Sequence, residues 1–300
     1  MSKTVTAAWL EGDERALRFL PDRFRHAEGR RDAVRLAARP VDPAVLEAVE
    51  TRADAQRRAL DRLASAGTTC VVTGQQAGLF GGPLYTLYKA AGAIVDARAL
   101  EAETGVPCVP VFWLQSEDHD FDEIATCPVV GADHERHVLS VPHGGADGDD
   151  LERRRSVGVR TIPETIGEPL AQLDILMRPL AHGPDTVRRL TEAYAPGTTW
   201  TEAFARLVHD LFADHGLLVV DPTHPELRRA AAPVHARAHA DADAIASAAG
   251  RWAAELQSAG FVAPIHVRPG APLSFVHPEG PAGPRFRVAP HPDGWQLVGT

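Results

Sequence analysis

The sequence predicts an α/β protein built on a parallel sheet, and three observations carry that expectation. Two apolar runs, residues 68–72 and 109–114, have the length and side-chain content of buried strands. Between them, residues 83–103 place Leu84, Leu87, Tyr88, Ala91, Ile94 and Val95 at helical spacing. That is one strand–helix–strand crossover, the connection parallel strands require. A polar cluster follows each run, TGQQAG at 73–78 and SEDHDFDE at 116–123. In open α/β sheets ligands bind outside the carboxyl ends of the strands, so the chemistry is expected where these two segments meet.

The remaining elements follow in order. Residues 1–39 carry apolar side chains without a strong period and read as an N-terminal arm packed on the body. Asp42 and Pro43 supply an N-cap and a first helical residue, and Leu46, Val49, Ala53, Leu60 and Leu63 continue a helical period up to Gly67. Gly105 stops the crossover helix, and the second strand runs over 106–114. From 126 to 199 the pattern changes to short β-like pieces (137–141, 157–162) around a Gly/Asp-rich turn at 144–150. Helical patterns follow at 169–180 and 186–194, and the whole reads as an α+β insertion into the core. The core resumes with an amphipathic helix over 201–215, ended by Gly216, and a third buried strand over 217–220 that delivers Asp221 to a strand carboxyl end. An alanine-rich helical stretch runs from Pro225 to about Gly260 with an interruption expected at Pro233. The Pro/Gly-rich tail alternates over 262–267, 273–277, 286–288 and 295–298, which predicts a small antiparallel β subdomain. The expected division is 1–125 and 200–232 for the core, 126–199 for the insertion, and 233–300 for a helical and small β subdomain.

Composition narrows the function. A formal net charge of -9 over 300 residues excludes the basic face of a nucleic-acid binder. No apolar run has bilayer length and the N-terminus lacks a secretory h-region. Cys70, Cys108 and Cys127 are far apart and odd in number, so a disulfide framework is not indicated; the expectation is a reduced, cytoplasmic protein.

The candidate site comprises both polar segments. Gly74, Gly78, Gly81 and Gly82 between a strand and a helix start would let backbone approach a ligand, and a helix N-terminus favours an anion. Gln75 and Gln76 add neutral donors and acceptors suited to sugar or amide groups. Lys89, two turns into the helix, reaches back toward an anion or is a solvated surface lysine. The run Glu117, Asp118, His119, Asp120, Asp122 and Glu123 offers an acid–base histidine flanked by carboxylates, a divalent-metal site, or an acidic helix start. His224, His235 and His239 read as solvated positions; the last two share a helix face without a third metal ligand.

At these residues the sequence resembles the bacillithiol-biosynthesis cysteine-adding enzymes, the BshC family of cysteine ligases. Residues 73–90 read TGQQAGLFGGPLYTLYKA, similar to the family's T-G-Q-Q-x-G-L-[FL]-x-G-P-L-Y-T-x-Y-K-A, with Gly81 where Thr is more usual. Residues 110–123, PVFWLQSEDHDFDE, resemble its P-V-F-W-x-x-x-E-D-H-D-F-x-E, and GLLVVD at 216–221 with PELR at 225–228 resembles a third piece. The resemblance implies a Rossmann-like core with connecting-peptide insertions, and amide formation between L-cysteine and glucosaminyl malate; such a bond needs an activated carboxylate, so ATP is the expected co-substrate, and no metal cofactor is expected. The resemblance marks the region, and residue type and placement within it suggest catalytic roles for Asp118, His119 and Lys89. On the same grounds, substrate contacts are expected from Thr73, Gly74, Gln75, Gln76, Gly78, Gly82, Tyr85, Glu117, Asp120 and Asp221. Relatives continue past the end of this chain with the rest of the core and a dimerising coiled coil, so the chain is expected to be a front part, truncated, shortened or one half of a split protein. A non-catalytic sugar- or nucleotide-binding module needing a second polypeptide, and a metal-dependent hydrolase, stay open beside the ligase.

Overall fold

A computed structural model describes residues 4–20, 26–142, 150–264 and 275–298. Residues 144–149 of the turn expected at 144–150, and residues 265–267 and 273–274 of the β-like pieces expected at 262–267 and 273–277, lie outside them. The chain forms two compact units, one of Arg35–Ala230 with His277–Arg285, the other of Met1–Val34, Ala231–Val276 and Phe286–Thr300. The elements run α1 (Val5–Leu10), α2 (Glu14–Leu17), α3 (Ala27–Ala37), α4 (Pro43–Glu47), α5 (Asp54–Leu63), β1 (Thr69–Gln75), α6 (Tyr85–Thr104) and β2 (Cys108–Leu114). They continue with α7 (Phe121–Ile124), β3 (Thr126–Val130), β4 (Arg136–Ser140), α8 (Asp150–Arg153), α9 (Gly167–Met177), α10 (Gly183–Ala193) and α11 (Trp200–Phe212). Last come β5 (Leu218–Val220), α12 (Pro225–Ala240), α13 (Ala242–Ser258), β6 (Phe275–Val276), β7 (Phe286–His291) and β8 (Gly294–Val298).

The larger unit is organised by a parallel sheet of order β1-β2-β5. Strands β2 and β5 are apolar on both faces because both faces are covered, while the edge strand β1 is mixed and exposes Val72. Phe112, Leu114, Leu217 and Val219 pack with Ala90 and Ile94 of α6 and Phe204 and Val208 of α11. On the opposite face, Val109, Val111, Leu218 and Val220 pack with Ala59 and Leu63 of α5 and with Val49. Pro110 has no N–H, yet β2 tolerates it: β5 pairs only Val111–Trp113, so the proline lies below that ladder. Gly105 ends α6 in the left-handed conformation (φ 71°), and Gly216 (φ 80°) turns the chain into β5. A third cluster joins α7, β3, β4, α9 and α10 to the loop after β1 through Leu79, Phe80, Phe121, Leu139, Leu173, Leu190, Tyr194 and Trp200.

Several boundaries differ from the sequence reading. The helix expected over 42–67 is two helices. The Gln56 side chain accepts from the Arg52 backbone N–H (2.8 Å) and holds the intervening turn out of helical conformation. The β-like piece at 157–162 is a 3₁₀ turn over Val157–Val159 with a single bridge, Thr161 to Thr199. Two of its N–H groups go to the acidic loop, Val157 to Asp118 O (2.6 Å) and Gly158 to Ser116 O (2.9 Å), and those of Val159 and Arg160 close the turn, so only Ile162 N–H, to Thr198 O (2.8 Å), pairs across the bridge. The β3 strand was not predicted; it pairs antiparallel with β4 from Thr126↔Ser140 to Val130↔Arg136. Pro233 sits inside α12 without interrupting it, and the break comes at Asp241.

In the smaller unit, the N-terminal residues form two capped helices, with Thr4 and Asp13 as N-caps. Ala8, Ala16, Trp9 and Phe19 pack with Leu256, Ala259 and Phe261. Phe19 meets Trp252 and Phe261 edge-on at 5.8 and 6.1 Å, and Arg18 pairs with Glu255 at 2.5 Å. The tail forms the expected antiparallel sheet, order β6-β7-β8, with Gly294 (φ 129°) in its hairpin turn. His239 packs edge-on against Trp295 at 5.4 Å.

Candidate functional site

The first strand reaches three residues further than predicted, so Thr73, Gly74 and Gln75 are part of β1. Gly74 pairs with Trp113 in the ladder, and a Cβ there would lie 2.6 Å from the Trp113 carbonyl oxygen. The loop that follows is held from inside. Tyr194, fully buried, donates its hydroxyl to Gly78 O (2.7 Å) and accepts from Gly81 N–H (3.0 Å). A Cβ on Gly78 would sit 2.8 Å from the Gly82 Cα, and Gly81 has φ 93° with Leu207 2.7 Å from where its Cβ would be. Phe80 adopts φ 54°, unusual for an aromatic residue, and its ring packs edge-on to Tyr194 at 5.3 Å. The N–H groups of Gly78 and Gly82 bond to Gln76 O and Leu79 O. These glycines therefore have a folding reason: they let the loop close on itself and on Tyr194.

The candidate side chains come off the two ends of that loop and the segment after β2. At the strand end, Gln75 donates to Tyr85 Oη (2.8 Å) and accepts from Lys89 Nζ (3.1 Å). Lys89 also donates to Gly74 O, so it reaches back from α6 to the end of β1. One residue on, Gln76 donates through Nε2 to Asp118 Oδ2 (2.6 Å) and to Glu123 Oε2 (3.4 Å). Gln76 Oε1 is buried and has no hydrogen-bond partner. Asp118 Oδ1 accepts from His119 N–H (2.7 Å) and from Arg285 Nη2 (2.9 Å), with His119 Nδ1 3.1 Å away. Arg285 Nη1 donates to Glu117 O (2.9 Å), and Nη2 also contacts His119 Nδ1. Burial by itself would raise the Asp118 carboxyl. The bonds from Gln76 and His119 and the Arg285 charge outweigh it and hold the group at about 2.

Asp120 has a structural position, the N-cap of α7, where it accepts from Glu123 N–H (3.2 Å). Asp221 closes the turn after β5: it accepts from Ser116 Oγ (2.5 Å), Thr223 N–H (2.9 Å) and Thr223 Oγ1 (2.7 Å). Thus Gln76, Asp118, His119 and the Glu117 backbone converge at the carboxyl ends of β1 and β2, and Gln75, Tyr85 and Lys89 form an adjacent group. Among the described residues, no hydrogen bond joins Lys89 to Asp118 or His119. Sequence reasoning missed Arg285 and Tyr194. Arg285 sits in a Pro/Gly-rich stretch 166 residues from His119, and nothing local marks it. Among the described residues, no three His, Cys, Asp or Glu side chains converge as metal ligands, and no helix is long and apolar enough to cross a membrane. The three cysteines are free thiols, with burial pushing Cys70 and Cys127 up to about 11.

A parallel sheet with helices on both faces and a polar cluster beyond the strand carboxyl ends defines a Rossmann-like α/β domain. Residues 22–295 match the N-terminal Rossmann-like domain of bacillithiol biosynthesis BshC, and the chain belongs to that family. Proteins named "Putative cysteine ligase BshC" are similar to it. The one from Salinibacter ruber is 33% identical over 261 residues, covering 84% of this chain and 46% of the relative. That of Heliobacterium modesticaldum is 42% identical over 190 residues, covering 61% and 32%. That of Solibacter usitatus is 35% identical over 222 residues, covering 74% and 40%. The chain spans about half the length of the curated relatives it matches.

Proposed function

We propose that this chain carries the sugar-side site of a carbon–nitrogen ligase that joins L-cysteine to glucosaminyl malate in bacillithiol biosynthesis, with ATP activating the cysteine carboxylate. The observation that supports it is the Gln76–Asp118–His119–Arg285 constellation at the strand carboxyl ends. An amide forms from an acyl phosphate or acyl adenylate: the amine nitrogen bonds to the acyl carbon, the phosphate-bearing oxygen leaves with its electron pair, and the nitrogen gives up a proton to solvent. Gln76 Oε1 is a buried acceptor without a protein partner, suited to an N–H of the amino sugar. Asp118, held ionised with a pKa of about 2, is too weak a base to take the amine's proton; it orients that N–H and offsets positive charge. Lys89 places a positive charge beside the β1 end, where it would steady developing negative charge on phosphate or acyl oxygen. Mass spectrometry of the purified protein with L-cysteine, glucosaminyl malate and ATP, beside Asp118→Ala, tests this. A cysteinyl–glucosaminyl malate product lost in the variant supports the reading; no product from a cooperatively folded chain overturns it for this chain.

A further inference from the structure

We infer that Arg285 fixes His119 in the tautomer protonated at Nε2, which makes this histidine a hydrogen-bond donor to a substrate oxygen and not a proton acceptor. The tautomer stands on geometry alone; the identity of the oxygen rests on the ligase reading.

Two groups compete for His119 Nδ1. Asp118 Oδ1 lies 3.1 Å away and would accept a proton from it; Arg285 Nη2 is in direct contact and can only donate. A guanidinium has five N–H donors, no acceptor, and keeps its charge. A proton on Nδ1 would therefore point one donor at another, and a doubly protonated ring would add repulsion between two cations. With the Nδ1 lone pair exposed instead, the two hydrogens of Nη2 bridge both acceptors, one to Asp118 Oδ1 (2.9 Å) and one to the ring. Asp118 does not need the imidazole proton, because Gln76 Nε2, the His119 backbone N–H and Arg285 already donate to it.

Arg285 is well placed to impose this choice. Its side chain is 12% exposed, against 44% for His119. Its backbone is tied to the site's own framework through Arg285 N–H to Arg154 O (3.0 Å), beside the Arg155↔Pro284 bridge. The charged groups around the ring are Asp118 and Arg285 in contact, with Glu117, Asp120, Asp122 and Glu123 in the same segment. No hydrogen bond to Nε2 occurs among the described residues, so its proton is left to the open side of the site. Preorganised N–H donors stabilise an oxygen that gains charge. In amide formation that oxygen is the acyl carbonyl attacked by the amine, or a phosphoryl oxygen of the activated carboxylate.

The test is long-range proton–nitrogen NMR of the histidine rings in the full ¹⁵N-labelled chain at neutral pH, with the His119 signals assigned by their loss in His119→Asn. The expected pattern is a pyridine-like Nδ1 and a pyrrole-like Nε2. In Arg285→Gln the population shifts toward a ring that donates from Nδ1 to Asp118. A His119 ring protonated at Nδ1 or mixed in the unmodified protein overturns the inference, as does an unchanged pattern in a folded Arg285→Gln. If that variant does not fold, the spectrum of the unmodified protein still decides. No substrate is involved, so a failed ligase assay leaves this result standing and the converse also holds.

Discussion

Two glutamines of the larger unit make opposite use of the same side chain. Gln56, fully buried near the amino end of β5, satisfies both ends of its amide: Oε1 accepts from Arg52 N–H (2.8 Å), while Nε2 donates to Leu217 O (2.6 Å) and His209 Nδ1 (2.9 Å). Gln76, at the carboxyl end of β1, spends its amide nitrogen on Asp118 and leaves a buried oxygen without a partner. A buried polar group is normally paired. The closed network belongs to the fold; the open one leaves an acceptor that the proposed ligase reading fills with a substrate N–H. The two histidines follow suit. His209 is buried and held neutral; His119 is half exposed beside a carboxylate and a guanidinium.

The sharpest way to break this contrast is Gln56→Ala. It strands Leu217 O, Arg52 N–H and the His209 ring at once, and should destabilise the fold by about 3 kcal/mol, read from chemical denaturation. A loss under ~1 kcal/mol would show that the network is not structural.

The next effect is in pH. Burial, with help from the Arg52 charge, lowers His209 from 6.5 to about 4. Below 6.5 the unfolded chain takes up a proton that the native state refuses, so stability falls as pH drops from 6.5 toward 4, by on the order of 3 kcal/mol. Asp118 acts later and in the same direction: its depressed pKa gives stability present above 3.8 and lost as pH falls toward 2. Denaturation midpoints in the unmodified protein and in His209→Gln separate the two, because only the higher window should vanish in the variant.

Tyr194→Phe removes one hydroxyl from the buried end of the loop. The expectation is a loss of about 1–2 kcal/mol and faster amide hydrogen exchange at Gly81, whose N–H bonds to that hydroxyl. Unchanged exchange there would mean the tyrosine does not hold the loop. The smallest change is expected from Asp120→Ala. It removes the N-cap of the four-residue α7 and should cost about 1 kcal/mol. A larger loss of stability would give Asp120 a structural role beyond that cap.

Much of this was legible because it is local. The crossover helix, its Gly105 stop and the burial of residues 109–114 follow from spacing and composition, and polar clusters after two apolar runs marked segments that the fold brings together at the strand ends. The TGQQAG and SEDHDFDE segments carry the family resemblance, which the match over residues 22–295 bears out. Boundaries differ where another group competes for the backbone: Gln56, four residues on, takes the Arg52 N–H and splits one helix, and the remote acidic loop takes the N–H groups of Val157 and Gly158.

The sequence by itself determined the α/β class, the crossover, the antiparallel tail and the two polar segments at the strand ends, because side-chain period and turn residues act over a few positions. Tertiary structure alone decided which atoms meet. The 73–82 glycines are claimed by Trp113, Leu207 and Tyr194, and Asp118 and His119 are arranged by Arg285 from near the far end of the chain. Such contacts depend on how remote backbones are brought together in three dimensions, and no local pattern of residues records that.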